Sequence, residues 1–505
     1  MTIPLPQRLV AAAVAFGSAC WIPSLTATPA AALAQLDLRL TVMEMTIQLE
    51  IGESRTAADL IRANADLQEL DRAGDGAVQR LLEQLLTAPL PEQITGVVQA
   101  RTISRRVRVL YRGMMRVAVI HSFYSGALPS GENQVVRDQV QALTEAGVAV
   151  DLVGVETDAL AKDAQYAMKT GIRLLVRQGI DPRSHLEALQ PDIVHIHNTF
   201  PNFATRWLPE WRGPVVMTFH NYRAVCSNGT FFRSGRQCHD CSSGFLGTLS
   251  AIRHSCYRGS LAASMPVAVS REGFNRDISS GNVGGVSLSV GSHRILREVV
   301  PSSIPLTLIP NFVEDRAMVS DAVRDSVWLA AGRLSPEKGF EALLRDWPRG
   351  HRLRVVGAGP DSKRIGQLAA GREDITVQEP VSRDELRELM ETHVGLVFPS
   401  LWHEVDPQIV AEAMCAGLPV VANEANVVAD LVRSTKAGST YSNQSDLAQA
   451  LTAVVDAHAE MSAAARRYYE TNLTPQTWIK RTLAHFDHVR HEYEQHGVLL
   501  SKSKS

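Results

Sequence analysis

The sequence predicts an α/β protein built on doubly wound parallel sheets, one in each half of the chain. Three observations carry that prediction. From Met115 onward, short apolar runs bounded by turn residues alternate with stretches of helical periodicity, the pattern of parallel strands joined by helices. The alternation breaks at a charged stretch, 313–326, and restarts at 327. In "HVGLVFPSLWHEVDPQIVAEAMCAGLPVVAN" (393–423), a buried strand, a loop, a helix with its own start and stop signals, and a second buried strand follow one another.

The totals agree with this division. A chain of 505 residues is too long for one ordinary core. With 45% hydrophobic and 21% charged residues it has ordinary globular composition. A net charge of −2 gives no global basic field, so no nucleic-acid partner is expected. No apolar run is long enough to span a bilayer, and six cysteines do not make a disulfide scaffold in a chain this long.

Residues 1–114 differ from the rest. "MTIPLPQRLVAAAVAFGSACWIPSLTATPAAALA" has one arginine, an apolar stretch and an Ala-x-Ala, as a secretory signal does. A polar, Ala- and Leu-rich stretch of helical periodicity follows. Three readings stand: a signal peptide, an extra helical segment, or a start assigned too far upstream of Met115. The third is preferred.

In the first half, 115–313, strands are expected at "RVAVIHSFY" (116–124), "VAVDLVGV", "PDIVHIHN" (191–198), "PVVMTFHN" (214–221), "PVAVS" and "LTLIPNFV" (306–313). A small-residue loop and the helix "VVRDQVQALTEAG" follow the first strand, with Gly131 at the turn. Residues 314–326 serve as a connector. In the second half, 327–473, "VWLAAGRL" (327–334) is a strand, "PEKGFEALLRDW" a helix, "HRLRVVGAG" a strand and "SRDELRELMETH" a helix with an N-cap serine. The segment 474–495 is a helix with an aromatic and apolar stripe, and 496–505 a frayed tail.

Glu404 and Glu412 are the first candidate site residues. Asp406-Pro407 signals a helix start, since Asp can accept first-turn amide hydrogen bonds and proline needs no N–H there. Gly417 is the stop. Glu404 then lies on the loop at the carboxyl end of a strand, and Glu412 about one and a half turns into the helix. Open α/β sheets bind ligands at that edge, and a helix amino end favours an anion. Two carboxylates beside an anion site suit a ligand with a phosphate and surrounding hydroxyls, such as a sugar nucleotide. Arg333 and Lys338, in "GRLSPEKG", end the second half's first strand and would supply cationic charge to a departing diphosphate. "VVGAGP" is another strand-end glycine turn, including Gly359. It is no dinucleotide fingerprint, because Ser362 stands where the third glycine would be. His220 ends a strand of the first half, near His195 and His197, and could bond sugar hydroxyls or the reacting region. No Asp-x-Asp occurs, which leaves the diphosphate to Arg333 and Lys338.

Taken in order, "SGEN", "HIHN", "TFHN", "IPNFV", "GRLSPEKG", "VVGAGP" and "PSLWHEVDPQIVAEAMCAGLPVVA" make residues 115–495 resemble the retaining glycosyltransferases of family 4, also called group 1, with the GT-B fold. The resemblance implies two Rossmann-like domains facing a cleft and a terminal helix crossing back to the first domain. It implies a retaining transferase that moves a sugar from a nucleoside-diphosphate sugar to a glycan or lipid-linked acceptor, with no catalytic cofactor. Arg333 and Lys338 would hold the diphosphate, Glu412 the ribose, and Glu404 with the amides near Pro407, Gln408 and Ile409 the donor sugar. His220 would sit at the reacting centre, and Gly131 and Gly359 beside the donor. Retention without an enzyme nucleophile implies same-face substitution. Pro407 replaces a common glycine, "NEANVVADLV" lacks the usual glycine pair and carries Asp430 for glutamate, and "VQEPVS" replaces the usual Phe-x-Gly. A non-catalytic sugar-nucleotide binder and a sugar-nucleotide epimerase are the competing readings.

Cys226, Cys238, Cys241 and Cys256 fall in one segment after His220. The spacing admits structural zinc; disulfides and free thiols stay open at this point. Cys415 is expected in the core. The expected location is cytoplasmic, and peripheral contact at the inner membrane face stays open, with "RWLPEWRG" (206–213) as its candidate segment.

Overall fold

The computed structural model describes residues 115–126, 131–241, 244–315 and 325–496, together with Gln79 and three short strands near the amino end. The chain separates into two compact units, Met1–Met114 and Met115–Ser505. In the first unit, β1 (Cys20–Trp21), β2 (Gln35–Leu40) and β3 (Met45–Glu50) form an antiparallel sheet. The helical reading of this region does not hold at β2 and β3, where "QLDLRL" and "MTIQLE" alternate apolar and polar residues with period two. The rest of the signal-like and helical segments lies outside the described residues.

The second unit contains two six-stranded sheets, parallel throughout. In the first, β4 (Arg116–Phe123), β5 (Ala149–Glu156), β6 (Ile193–Asn198), β7 (Val215–Thr218), β10 (Val283–Ser287) and β11 (Leu306–Leu308) run in the spatial order β11-β10-β7-β6-β4-β5. A small hairpin, β8 (Phe232–Arg233) and β9 (Arg236–Gln237), lies apart from it. The strand order reverses between β4 and β6, so the crevice of this sheet opens at their carboxyl ends. Helix α1 (Gly131–Glu145) starts beside that crevice and buries Val135, Val136, Ala142 and Leu143.

Two expectations for this sheet fail together. "PVAVS" is not a strand but lies inside helix α2 (Leu261–Ser280). Ser260 caps that helix by accepting from the Ala263 amide, and Pro266 sits early enough in the helix to cost it one backbone hydrogen bond. The strand is instead β10, "VGGVS", whose glycines hid it. A Cβ on Gly285 would stand 2.5 Å from the Leu306 side chain, and one on Gly284 3.1 Å from Val489. The strand is glycine-rich because its faces are packed too closely for side chains.

The second sheet contains β12 (Asp325–Ala331), β13 (Arg352–Val356), β14 (Ile375–Gln378), β15 (His393–Phe398), β16 (Val420–Asn423) and β17 (Gly438–Tyr441), in the order β14-β13-β12-β15-β16-β17. Its crevice lies between the carboxyl ends of β12 and β15. Asp325 and Ser326 belong to β12, so the strand begins inside the expected connector; 316–324 lie outside the described residues. Helix α3 (Gln408–Cys415) joins β15 to β16, and Gly417 ends the turn at φ +61°.

The last helix, α4 (Pro475–His496), puts Trp478, Phe486 and Val489 into the core of the first sheet. Trp207 and Leu208 are also core residues, each 1% exposed, while Pro209 of the "RWLPEWRG" segment is exposed and Trp211 half-buried. Among the described residues no helix is long and apolar enough to cross a membrane.

Candidate functional site

The carboxyl edge of the second sheet is assembled by close backbone contacts. After β12 the chain turns at Gly332, and Leu334 N donates to Ala358 O at 3.0 Å. A Cβ on Gly357 would lie 1.9 Å from Gly332 O, and one on Gly359 2.3 Å from Leu334 O. The glycines of "VVGAGP" therefore let two backbone segments touch. At Gly359 this contact alone accounts for the glycine expected beside the donor.

A 3-10 turn at Pro336–Lys338 leads into Gly339, at φ +73°, where a Cβ would meet Pro399 O at 2.1 Å. Leu401 N also donates to Glu337 O at 2.9 Å. These contacts bring the loop after β12 against the loop after β15. Lys338 Nζ stands 2.8 Å from Glu404 Oε1, and the Glu404 residue is 6% exposed. Arg333 follows the same turn but pairs with Glu337 at 2.7 Å, its side chain 56% exposed. Both expected diphosphate cations thus already hold a carboxylate partner.

Asp406 does not cap α3. Pro407 is the N-cap residue and no side chain caps the helix, so the amides of Gln408 and Ile409 lack a side-chain acceptor. Asp406 instead accepts from Asn311 N at 3.1 Å, and burial pushes its carboxyl up to about 7. An acid committed to a buried amide of the first domain cannot also turn to the helix it precedes.

Glu412 is buried and meets neither Arg333 nor Lys338. It accepts from Arg383 Nε at 3.0 Å, and the same guanidinium reaches Asp138 Oδ2 of α1 at 3.3 Å. Arg383 escaped the sequence reading: "VSRDEL" marks a capped helix start, and nothing local says which side chain turns back to Glu412.

The loop between β15 and α3 concentrates unmet polarity. Ser400 Oγ, Trp402 Nε1, His403 Nδ1 and both amide atoms of Gln408 are buried and have no partner among the described residues. Buried polar atoms are nearly always satisfied, by protein, ordered water or ligand, so such a cluster within nine residues marks this loop as the candidate site.

Across from this edge, His220 lies two residues beyond β7. Its Nε2 is 2.8 Å from His197 Nδ1 and the two rings stack. His195 bonds Thr218 Oγ1 at 2.9 Å, and His121 bonds Asn133 Oδ1 at 3.1 Å. Burial, reinforced by neighbouring imidazoles, pushes His220 and His195 down to about 3 and His197 well below its usual range; burial takes His121 to about 4. All four are neutral near pH 7. His220 can therefore donate or accept a hydrogen bond there, with Nδ1 left over, but it carries no charge. Asn221 Nδ2 donates to Glu132 Oε2 at 3.3 Å. The Tyr222 hydroxyl is buried without a partner; burial, and then the charge of Glu404 from the other domain, push it up. Gly131 opens α1, and a Cβ there would meet nothing within 4 Å.

An open-sided cavity of roughly 840 Å³, counting the solvent at its mouth, lies in the first domain. His197, His220, Asn221 and Arg223 line it, with Phe200 and Phe274 among its apolar walls. Arg333, Lys338, Glu404 and Glu412 contribute nothing to it.

The cysteine segment brings the four cysteines of the zinc reading near one another: burial, then the charges of Cys226 and Cys238, push the Cys256 thiol up to about 11. Cys226 and Cys241 are hydrogen-bonded to one another, whereas Cys238 faces the Arg233 guanidinium at the foot of the β8–β9 hairpin. All four are free thiols, and among the described residues no three His, Cys, Asp or Glu side chains are arranged to hold a metal. Cys415 is buried, as expected.

Comparison with known proteins follows this geometry. Residues 129–272 match the family model described as Glycosyltransferase Family 4, and 325–457 match the model described as Glycosyl transferases group 1. The fold is similar to that of sucrose-phosphate synthase from Thermosynechococcus elongatus, with 14% identity, 74% of this chain and 98% of that chain covered, and a TM-score of 0.53. Also similar are Anabaena HepE in complex with UDP, with 14% identity, 74% and 100% covered and a TM-score of 0.49. A glycosyltransferase from Rickettsia africae ESF-5 gives 14% identity, 74% and 98% covered, and a TM-score of 0.49. No curated protein matches the chain.

Proposed function

The chain belongs to the group 1 glycosyltransferases of family 4, with the GT-B fold, and from that premise we propose that it transfers a sugar from a nucleoside-diphosphate sugar to a hydroxyl of a glycan or lipid-linked acceptor, retaining the anomeric configuration. The observation that carries the reading is the cluster of five unpartnered buried polar atoms on residues 400–408, beside the Lys338–Glu404 pair. It lies at the switch point of the second sheet, where an α/β domain binds its ligand.

The roles follow from the chemistry. Lys338 reaches this loop through its pair with Glu404, and with no Asp-x-Asp in the sequence the leaving diphosphate falls to it and to Arg333. A phosphate would compete with Glu404 for Lys338, freeing the carboxylate to accept from sugar hydroxyls. The uncapped amides of Gln408 and Ile409, at a positive helix end, suit the same anion. Glu412, with one oxygen taken by Arg383, has the other for a ribose hydroxyl. In the transfer step the bond from the anomeric carbon to the diphosphate oxygen breaks. A bond to the acceptor oxygen forms on the same face, and the acceptor proton passes to the departing phosphate oxygen. Neutral His220 would bond a hydroxyl near that centre without adding charge.

A lipid-linked acceptor has specific support. Helix Tyr166–Leu175 exposes Met168 and Ile172 at 60% and 55%, and it packs on α2, which exposes Leu261 and Met265 at 58% and 41%. Large apolar side chains gathered on adjoining helices mark a partner or membrane contact. These residues offer a second candidate face for the peripheral membrane contact, besides "RWLPEWRG".

The test is nucleoside-diphosphate release across a panel of UDP-, GDP- and ADP-sugars, with glycan and polyprenyl-diphosphate-linked acceptors. Release with a glycosylated product supports the reading. A changed sugar without release identifies an epimerase, and binding without either a binder only.

A further inference from the structure

The first domain holds a carboxylate that the transfer scheme does not use. Glu132 is the second residue of α1, at the switch point of the first sheet, where a helix amino end should stabilise its negative charge. Its surroundings work the other way. Oε1 is screened from water and has no partner, and Oε2 receives only the 3.3 Å bond from Asn221 Nδ2. Asn221 follows His220 in the chain, and both line the first-domain cavity together with Arg223. A structural first-turn glutamate would bond the amides of its own turn; this one takes its only hydrogen bond from Asn221, the chain neighbour of His220, and leaves its other oxygen unpartnered.

Resting on the transferase reading, we propose that Glu132 is an acceptor-binding residue: its free oxygen accepts a hydrogen bond from an acceptor hydroxyl and so orients that molecule beside His220. The acceptor class this selects is a polyol, with a second hydroxyl to spare for the carboxylate besides the one that is glycosylated. An apolar portion of the same molecule fits the cavity beyond, against Phe200 and Phe274. Arg223, whose Nε is buried without a partner and whose guanidinium lies 4.2 Å from the Phe200 ring centroid, stands beside the same group.

The charged and titratable neighbours fix the expected pH behaviour. Burial pushes Glu132 up to about 7, while Asn221 and the Arg223 charge pull it down; the Tyr124 phenol, itself pushed up by burial and by Glu132, is neutral throughout, as is His220. Only in the carboxylate form are both oxygens acceptors, one for Asn221 and the other for the acceptor hydroxyl, so acceptor use should rise as pH increases through about 7.

The experiment compares wild type, Glu132→Gln and Glu132→Asp. Octyl glycosides and polyprenyl-diphosphate-linked sugars serve as acceptors. Donor handling is read separately, as nucleotide-induced change in Tm and as donor hydrolysis by water. The account expects kcat/KM for the acceptor to fall at least tenfold in Glu132→Gln, with the rise near pH 7 abolished. Glu132→Asp should retain part of that rise, and donor binding and hydrolysis should stay within twofold of wild type. Unchanged acceptor kinetics and pH profile in Glu132→Gln would overturn the proposal, as would equal losses of donor binding and acceptor use. Failure of the transferase reading looks different: wild type itself would then release no diphosphate with any donor, in water or with acceptor.

Discussion

Lys338 and Glu404 should behave as one energetic unit. Their side chains are 22% and 8% exposed and their charged atoms 2.8 Å apart. Removing one partner of a buried ion pair leaves the other charge without compensation, at a cost of about 3–5 kcal/mol. The ammonium of Lys338 keeps some water, which places Lys338→Met near the lower end, about 3 kcal/mol. Converting Glu404→Gln as well removes the stranded charge, so the double variant should recover about 2 kcal/mol of that loss. Thermal unfolding of the two single variants, the double variant and wild type reads the coupling directly. For a domain of 150–250 residues, about 3 kcal/mol corresponds to a Tm drop of roughly 6–12 °C. Strictly additive Tm changes would refute the reasoning, since additivity means the two charges do not see each other.

Other outcomes follow from the same structure. Gly339→Ala should destabilise the second domain by about 2 kcal/mol or more, from the φ of +73° and the 2.1 Å approach to Pro399 O, and should depress nucleotide binding because it displaces Lys338; Tm and nucleotide titration check it. Stability should peak between about pH 6 and 7. His121, His195, His197 and His220 have folded pKa values below the unfolded one near 6.5, so the unfolded chain binds more protons and stability falls as pH drops below that value, by up to about 1.4 kcal/mol per pH unit for each. Glu132 and Asp406, raised to about 7, work in the opposite sense: their contribution is present at low pH and is lost as pH rises through 7. Denaturant midpoints from pH 5 to 9 trace both limbs. Trp478→Ala should cost about 3–5 kcal/mol in the first domain, from a residue 3% exposed near the carboxyl end of the chain, while leaving Lys338 and Glu404 in register.

The sequence was most informative where one segment carried several signals at once. "HVGLVF", the helix through "QIVAEAMCA" and the stop at Gly417 all appear in the structure, because apolar run, helix periodicity and glycine agree there. "PVAVS" misled because three apolar residues after a proline fit a strand as well as a helix, and only the Ser260 cap and the longer periodicity decide. β10 was hidden because its two glycines answer to Leu306 and Val489, which are distant in sequence. At the site, the sequence put Lys338 and Glu404 each at the carboxyl end of a strand, but not in an ion pair with one another. That Arg383 would occupy Glu412, and that Asp406 would turn to Asn311, depends on domain packing and has no local signature. The orphaned atoms of residues 400–408 are likewise a property of burial, invisible before the chain is folded.

The central claim is that a nucleoside diphosphate binds at the second sheet's switch point. Amide hydrogen exchange with and without UDP, GDP and ADP locates it. The account predicts that at least one of these nucleotides protects residues 332–339 and 400–412 together. Protection confined to the first domain, or none with any of the three at millimolar concentration, would contradict it.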